Sequence, residues 1–536
     1  MNRFQKLKIV FFLGWAALSL FLPIASANDW PQWGGTPARN MYAAEGRLPL
    51  HLDPGKFKPN TEEIDPQTAK NLKWAAKLGS QSYGNVTVAS GKVFVGTNND
   101  SPRDPQHQGD RSILMCFDEK GGKILWQLAI PKLAAGKVND WESLGLLSSP
   151  TVEGDRVYIV TTRCEVMCLD VNGMANGNDG PFTNEANYVV KEIVLDRGKP
   201  TERPAPLARV GPADADVIWV YDMMDELGVF PHNAANCSPL VDGDLVYVCT
   251  SNGNDWTHNN VPSPFSPSLI ALDKKTGKLA GVDDAEIGPR IFHGQWSSPA
   301  LGEVNGRKLV IFGAGDGWCY GFDAKPQGGL LKTVWKFDCN PPEYKTKNGK
   351  PIKYGNPEGP SEVIATPAFY KNRVYVAIGQ DPEQPEGVGR LVCIDATKTG
   401  DVTSTALVWD FKGIHRSLST VSIDPQTGLL FVADFSGFVY CLDAETGKLY
   451  WRHDMKSKVW GSTLAAGGKV YVGDEDGNLV IFASSKEKQI LSKVLVEGKE
   501  QEGPNFGAPL YGAPVGANGV LYIQTHTHLY AFHELP

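Results

Sequence analysis

Few residues with reactive side chains stand at catalytic spacings in this sequence. His526-Thr527-His528 sets two imidazoles beside a turn, and alternate residues of a strand share one side, so the pair has the makings of a metal site. No third ligand accompanies it, and a plain turn is expected. Asp474-Glu475-Asp476-Gly477 begins like a calcium loop, but the later ligands do not follow. Its alignment with Asp316-Gly317 and Ser436-Gly437 makes it a hairpin turn. Gly-x-Ser-x-Gly, phosphate-loop and His-Glu-x-x-His patterns do not occur. No catalytic set and no metal-ligand set is therefore assigned.

The nine cysteines read mainly as packing. Cys116, Cys168, Cys393 and Cys441 occupy one repeat position with Ala271, Gly321 and Ala531, so that position asks for a small buried side chain rather than a thiol. Cys237 and Cys249 flank Gly243 symmetrically in a predicted hairpin, and a bridge between them is one expectation. Cys164, Cys319 and Cys339 have no assignable partner.

What must position any site is a repeat. A strand core recurs at Val93-Phe94-Val95, Val157-Tyr158-Ile159, Val246-Tyr247-Val248, Val310-Ile311-Phe312, Val374-Tyr375-Val376, Leu430-Phe431-Val432, Val470-Tyr471-Val472 and Leu521-Tyr522-Ile523. A preceding short strand often opens on a small-Pro pair, as at Ser149-Pro150, Ser238-Pro239, Ser298-Pro299, Thr366-Pro367 and Ala513-Pro514. A third strand usually ends in Asp, and a Gly-Lys turn leads to a fourth that often carries Trp, at Trp126, Trp335, Trp409 and Trp451. Four short antiparallel strands per repeat make a propeller blade. The last repeat lacks a fourth strand, whereas Asn71-Leu72-Lys73-Trp74 is an orphan fourth strand ahead of the first repeat. Pairing the two closes the ring without a free edge. The expected fold is all-β: one eight-bladed β-propeller over residues 71–536, preceded by a lead segment, 28–70, whose packing the sequence leaves open.

Arg3, Lys6 and Lys8 precede an apolar run from Ile9 to Leu22 and a small-x-small site, Ala25-Ser26-Ala27. A signal peptide over residues 1–27, cleaved after Ala27, is expected, with an uncleaved anchor as the alternative; the run is shorter than the roughly 20 residues of a spanning helix. The protein is then periplasmic or secreted, without a membrane span after cleavage. The 52 Lys+Arg against 60 Asp+Glu, a formal charge of −8, disfavour nucleic acid as a partner.

Cys441-Leu442-Asp443-Ala444-Glu445-Thr446-Gly447-Lys448-Leu449-Tyr450-Trp451 is similar to the Ala-x-Asp-x-x-Thr-Gly-x-x-x-Trp blade motif of the pyrroloquinoline-quinone-repeat propellers, departing at its first position. The resemblance covers roughly residues 70 to 533, and Asp29-Trp30-Pro31 with Gly34-Gly35 resembles the opening segment of such proteins. That family includes quinoprotein alcohol dehydrogenases and a non-enzymatic outer-membrane assembly lipoprotein. In the dehydrogenases the resemblance implies a quinone between a Trp and an adjacent-Cys disulfide, Ca²⁺ on acidic and amide side chains, and an Asp base. This chain has no Cys-Cys pair and no Cys-x-x-Cys-His haem motif. Trp296, Glu362 and Asn233 match the remaining residue types only.

Long connections gather on one face: 98–112, 252–268 and 379–390 between second and third strands, and 130–146, 340–362 and 498–509 between blades. Loops on one face of a rigid ring are where recognition resides. Tyr83, His232, Asn233, His293, Gln295, Trp296, Glu362, His415, Arg416, Trp460 and Tyr511 are expected to rim the channel there. They either bind a planar ligand or a partner's side chains, or close the channel by satisfying one another. The favoured function is a monomeric, non-catalytic binding scaffold for a protein or polymer partner, without a cofactor. The alternative is a quinone- and Ca²⁺-dependent alcohol or sugar oxidoreductase lacking the adjacent-Cys pair.

Overall fold

The computed structural model describes residues 28–133, 136–190, 192–196, 199–203, 208–496 and 499–534, so the expected signal peptide lies outside the described residues. Eight small sheets form the expected ring. The first runs Thr87–Ala89, Lys92–Asn98, Arg111–Asp118, Ile124–Pro131 in antiparallel order, and the plan repeats around the molecule. The seam closes as the sequence requires: Leu72–Lys77 pairs with His528–Phe532, with Trp74 opposite Ala531 and Ala75 opposite Tyr530. The seventh blade departs from the four-strand pattern. Its fourth strand shrinks to one bridge, Phe482 to Ile490, while Tyr42–Ala43 of the lead pairs in parallel with its innermost strand, Leu464–Ala466. No helix among the described residues is long and apolar enough to cross a membrane.

Two repeat positions set the blade geometry. In four blades the small third-strand residue stands across from the fourth-strand Trp: Cys116 from Trp126, Gly321 from Trp335, Cys393 from Trp409, Cys441 from Trp451. The indole lies over it, and a Cβ at Gly321 would fall 2.3 Å from the Trp335 ring. All nine cysteines are buried and unbridged. Cys237 and Cys249 do not oppose each other, because the hairpin pairs Val241 with Val246 and shifts the register by one; instead the Cys249 N–H donates to the Cys237 Sγ, 3.1 Å away. The Asp-x-x-Thr-Gly turn links neighbouring blades. Asp443 Oδ1 accepts from the Thr446 N–H and hydroxyl, and Gly447, at φ 71°, brings the turn against Trp409 of the preceding blade, whose indole N–H donates to the Ala444 carbonyl.

Ser149, Ser238, Ser298 and Thr366 of the small-Pro pairs, with Ser462 and Asn85, form a girdle of side-chain acceptors around the channel. The Asn85 N–H donates to the Ser149 hydroxyl of the next blade (2.9 Å), Ser149 N–H to Ser238 (3.1 Å), Ser238 N–H to Ser298 (2.9 Å), and Ser298 N–H to Thr366 (3.3 Å). Thr420 N–H donates likewise to Ser462, and across the seam the Ala513 N–H donates to the Asn85 Oδ1.

The lead closes the opposite end of the ring. Trp30 bridges Val88 of the first blade, and the Pro31, Pro37 and Ala38 carbonyls accept from the N–H groups of Val152, Leu301 and Phe369. Asn40 pairs through its amide with the backbone of Ile423, and Glu45 accepts from the Gly519 N–H. These contacts lie beside the hairpin turns between first and second strands, away from the long connections. Arg39 is wholly buried at the centre, donating to the carbonyls of Trp33, Ser238, Pro239 and Pro299. Burial lowers its pKa to about 10. Replacing Arg39 with Ala strips buried carbonyls of their donor at about 1–3 kcal/mol per unsatisfied group. Arg39→Ala should therefore lower the urea midpoint by an amount equivalent to at least ~3 kcal/mol, checked by chemical denaturation against wild type.

Candidate functional site

With the lead as floor, the channel is a blind pocket of about 500 Å³ open toward the long connections. Trp33 lies at its base; the girdle residues Ser149, Ser238, Ser298, Thr366, Thr420 and Ser462 ring its wall; Trp141, Glu142, Asp381 and Glu383 stand at the connection end. One side is an aromatic bank. Trp460 stacks on Tyr511 (centroids 4.7 Å, 29°), Tyr83 leans on Tyr511 at 5.0 Å, and His526 meets Tyr511 edge-on at 4.2 Å. Burial takes the His526 pKa down to about 4. His528 points elsewhere, its Nε2 against the Glu62 carbonyl, so the two histidines of the turn share no ligand.

Of the residues expected on the rim, Tyr83, Asn233, Trp296, Trp460 and Tyr511 line the pocket; His232, His293, Gln295, Glu362, His415 and Arg416 do not. Gln295 is spent on the Asn252 carbonyl and the Ser268 hydroxyl. His415 is paired with Asp434, which also accepts from the Tyr440 hydroxyl. Arg416 clamps the 379–390 insertion, donating to the carbonyls of Asp381, Gln384 and Pro385 with its guanidinium over Phe435. Glu362 is fully buried, accepts from the Tyr354 hydroxyl and the Gly294 N–H, and is pushed well above the ordinary carboxyl range by burial and by Asp381. His232 and His293 are buried beside each other, their pKa values brought down by burial to about 4 and about 2. Trp33, Trp141, Asp381, Glu383 and the girdle hydroxyls escape a reading of the rim. The Ser-Pro and Thr-Pro pairs were the available signal for Ser149, Ser238, Ser298 and Thr366; Thr420 and Ser462 have no following Pro, and the others sit in segments without a repeat.

The chain's relatives share this architecture. A sequence model of outer membrane protein assembly factor BamB matches residues 63–174 and 398–490. Polyvinylalcohol dehydrogenase from Sphingopyxis sp. (strain 113P3) is 20% identical, the match covering 85% of this chain and 71% of that protein. A europium-containing methanol dehydrogenase superposes with a TM-score of 0.53 at 12% identity, covering 95% of this chain and 98% of the other. BamB from Moraxella catarrhalis superposes at 0.49 and 14% identity, covering 86% and 97%. The fold is that of the pyrroloquinoline-quinone-repeat propellers. The same propeller is related both to BamB and to quinoprotein dehydrogenases.

The quinone of those dehydrogenases carries three carboxylates, and its binding site must answer that charge. In this propeller no described lining residue is Lys or Arg, whereas Glu142, Asp381 and Glu383 are acidic. Arg416, the cation expected on the rim, is committed to backbone carbonyls. The described lining offers no cationic side chain to the quinone's carboxylates, whereas its acidic and amide residues are of the types the resemblance assigns to Ca²⁺.

Asp381 is nearly buried, accepts from the Glu383 N–H, and has its pKa raised to about 6 by burial. A carboxyl whose pKa is higher in the folded than in the unfolded state favours the protonated fold. Its destabilising effect grows as pH rises from the unfolded value to the folded one, and is constant above. Asp381→Asn should therefore exceed wild type in stability above about pH 6, by up to ~3 kcal/mol, with the gain vanishing below about pH 4. Denaturation midpoints of both proteins across that range check it.

Proposed function

We propose that this chain is a non-catalytic binding propeller whose blind pocket receives an uncharged, hydroxyl-rich segment of a polymer. The observation that carries the reading is the composition of the lining: Trp33, Tyr83, Trp141, Trp296, Trp460 and Tyr511 supply aromatic surface, the acidic rim and girdle supply hydrogen-bond acceptors, and among the described residues no Lys or Arg lines the wall. Aromatic faces stack on the apolar faces of such chains, and a few convergent polar groups fix their hydroxyls. The volume of about 500 Å³ suits a few repeat units rather than a folded partner. The polyvinyl alcohol named for the Sphingopyxis relative belongs to the same chemical class. Action outside the cytoplasm accords with the leader expected at residues 1–27.

That relative also favours a second reading, in which the chain oxidises the polymer's alcohols with a bound quinone. The missing adjacent-Cys pair and the lack of a described Lys or Arg on the lining weigh against it. Titration followed by tryptophan fluorescence separates the two. Under the binding reading, polyvinyl alcohol or a neutral oligosaccharide saturates the protein and pyrroloquinoline quinone with Ca²⁺ does not. Trp296→Ala and Trp460→Ala should each weaken polymer binding roughly tenfold or more. Tight quinone binding accompanied by alcohol-dependent dye reduction overturns the proposal in favour of the oxidoreductase.

A further inference from the structure

Behind the pocket wall, the third and fourth blades bring three imidazoles together. His232 comes from the connection into the third blade, His258 from the 252–268 insertion, and His293 from the connection into the fourth. Each offers a ring nitrogen within 4.8 Å of the others, and the ring centroids lie 4.4 Å apart for His232 and His293, 4.5 Å for His258 and His293, and 5.1 Å for His232 and His258.

Hydrogen bonding fixes how the two buried rings carry their protons. His232 Nδ1 is 2.6 Å from the Asn254 carbonyl, which only accepts, so Nδ1 holds the hydrogen and Nε2 presents a lone pair. His293 Nδ1 is 3.3 Å from the Tyr354 hydroxyl. That hydroxyl donates its own hydrogen to Glu362 Oε1 (2.9 Å), so it accepts from His293 and leaves the second Nε2 a lone pair as well. Both Nε2 atoms are buried and have no hydrogen-bond partner, on residues at most 1% exposed. Unpartnered buried lone pairs are costly, and two of them on adjoining rings repel. His258 is exposed, held at φ 56° by the turn that begins at Asp255, and gives this space a side open to solvent.

We propose that His232, His258 and His293 bind a divalent first-row transition-metal ion of the zinc type, with solvent completing the shell. Imidazole suits zinc, copper and nickel, whereas magnesium and calcium ask for oxygen, and none of these three ligands offers one. The outer partners are those that orient a metal-binding histidine: a backbone carbonyl on His232, and a tyrosine-carboxylate relay on His293. Tetrahedral zinc with bonds of about 2.0–2.1 Å holds its nitrogens roughly 3.3 Å apart, so the cluster tightens on binding, and the exposed His258 is the ligand free to close. The ion thereby ties the 252–268 insertion to two blades.

The test uses the whole chain, stripped with EDTA and titrated calorimetrically with Zn²⁺, with Co²⁺ as a spectroscopic substitute and Mg²⁺ and Ca²⁺ as controls. One Zn²⁺ per chain is expected, together with an intense visible Co²⁺ band of a four-coordinate site, a zinc-dependent rise in thermal midpoint, and no displacement by Mg²⁺ or Ca²⁺. His258→Ala, an exposed change that spares the buried packing, should abolish the Co²⁺ band and weaken Zn²⁺ binding at least about tenfold; Tyr354→Phe should weaken it roughly 10–100-fold. Absence of zinc binding in the wild type, equal binding in His258→Ala, or displacement by Ca²⁺ overturns the proposal. None of these outcomes depends on whether the pocket binds a polymer.

Discussion

The geometry of this molecule rests on one kind of bond, a backbone N–H at the head of an innermost strand held by the side-chain oxygen of a neighbouring blade, found at six of the eight blade junctions. Asn85 to Ser149, Ser149 to Ser238, Ser238 to Ser298 and Ser298 to Thr366 run consecutively around the channel. An inner strand at a propeller axis has a free edge, and an unpaired N–H there would be buried without a partner. The hydroxyl of the following blade supplies the acceptor, and the proline behind it removes one donor that would otherwise need one. The same bond spaces the blades, so the width of the pocket follows from it. At the other end the lead binds one inner strand after another, and Arg39 gathers the carbonyls of the third and fourth blades beneath the floor.

Much of this ring was legible in the sequence, for identifiable reasons. Strand cores buried on both faces leave short apolar runs, the small residue across from each Trp repeats because an indole must fit over it, and an orphan fourth strand at Trp74 has one place to go. The lead was not legible, since its contacts reach across hundreds of residues and obey no repeat: Asn40 meets Ile423 and Glu45 meets Gly519. The Ser-Pro and Thr-Pro pairs were visible as strand markers, but nothing local shows that their hydroxyls bond the preceding blade.

The rim was legible only in part, and the division is physical. Residues at equivalent positions of the connections point either into the channel or back into the wall, and sequence position does not distinguish them. Trp296 and Trp460 face inward, whereas Arg416 turns back to hold the 381–385 backbone and Gln295 turns back to Asn252 and Ser268. With Arg416 turned back and Glu142, Asp381 and Glu383 on the lining, the described pocket wall carries acidic side chains and no Lys or Arg. His258 escaped notice because it lies in a long insertion outside the strand repeat, and its significance depends on two histidines distant in sequence.

Pocket and histidine cluster are two faces of one wall. The Trp296 indole N–H donates to the His232 carbonyl at 3.2 Å, its ring stands edge-on to His293 at 5.5 Å, and its other surface lines the pocket. Asn233, also on the lining, follows His232 directly and holds the left-handed conformation at φ 60°. A shift of His232 or His293 toward a shared ion is therefore transmitted to the aromatic surface that a ligand would touch. The girdle keeps the inner strands fixed while this happens, because its bonds engage the strand heads rather than the connections. A rigid ring with adjustable connections is the arrangement in which a site can be altered without altering the fold.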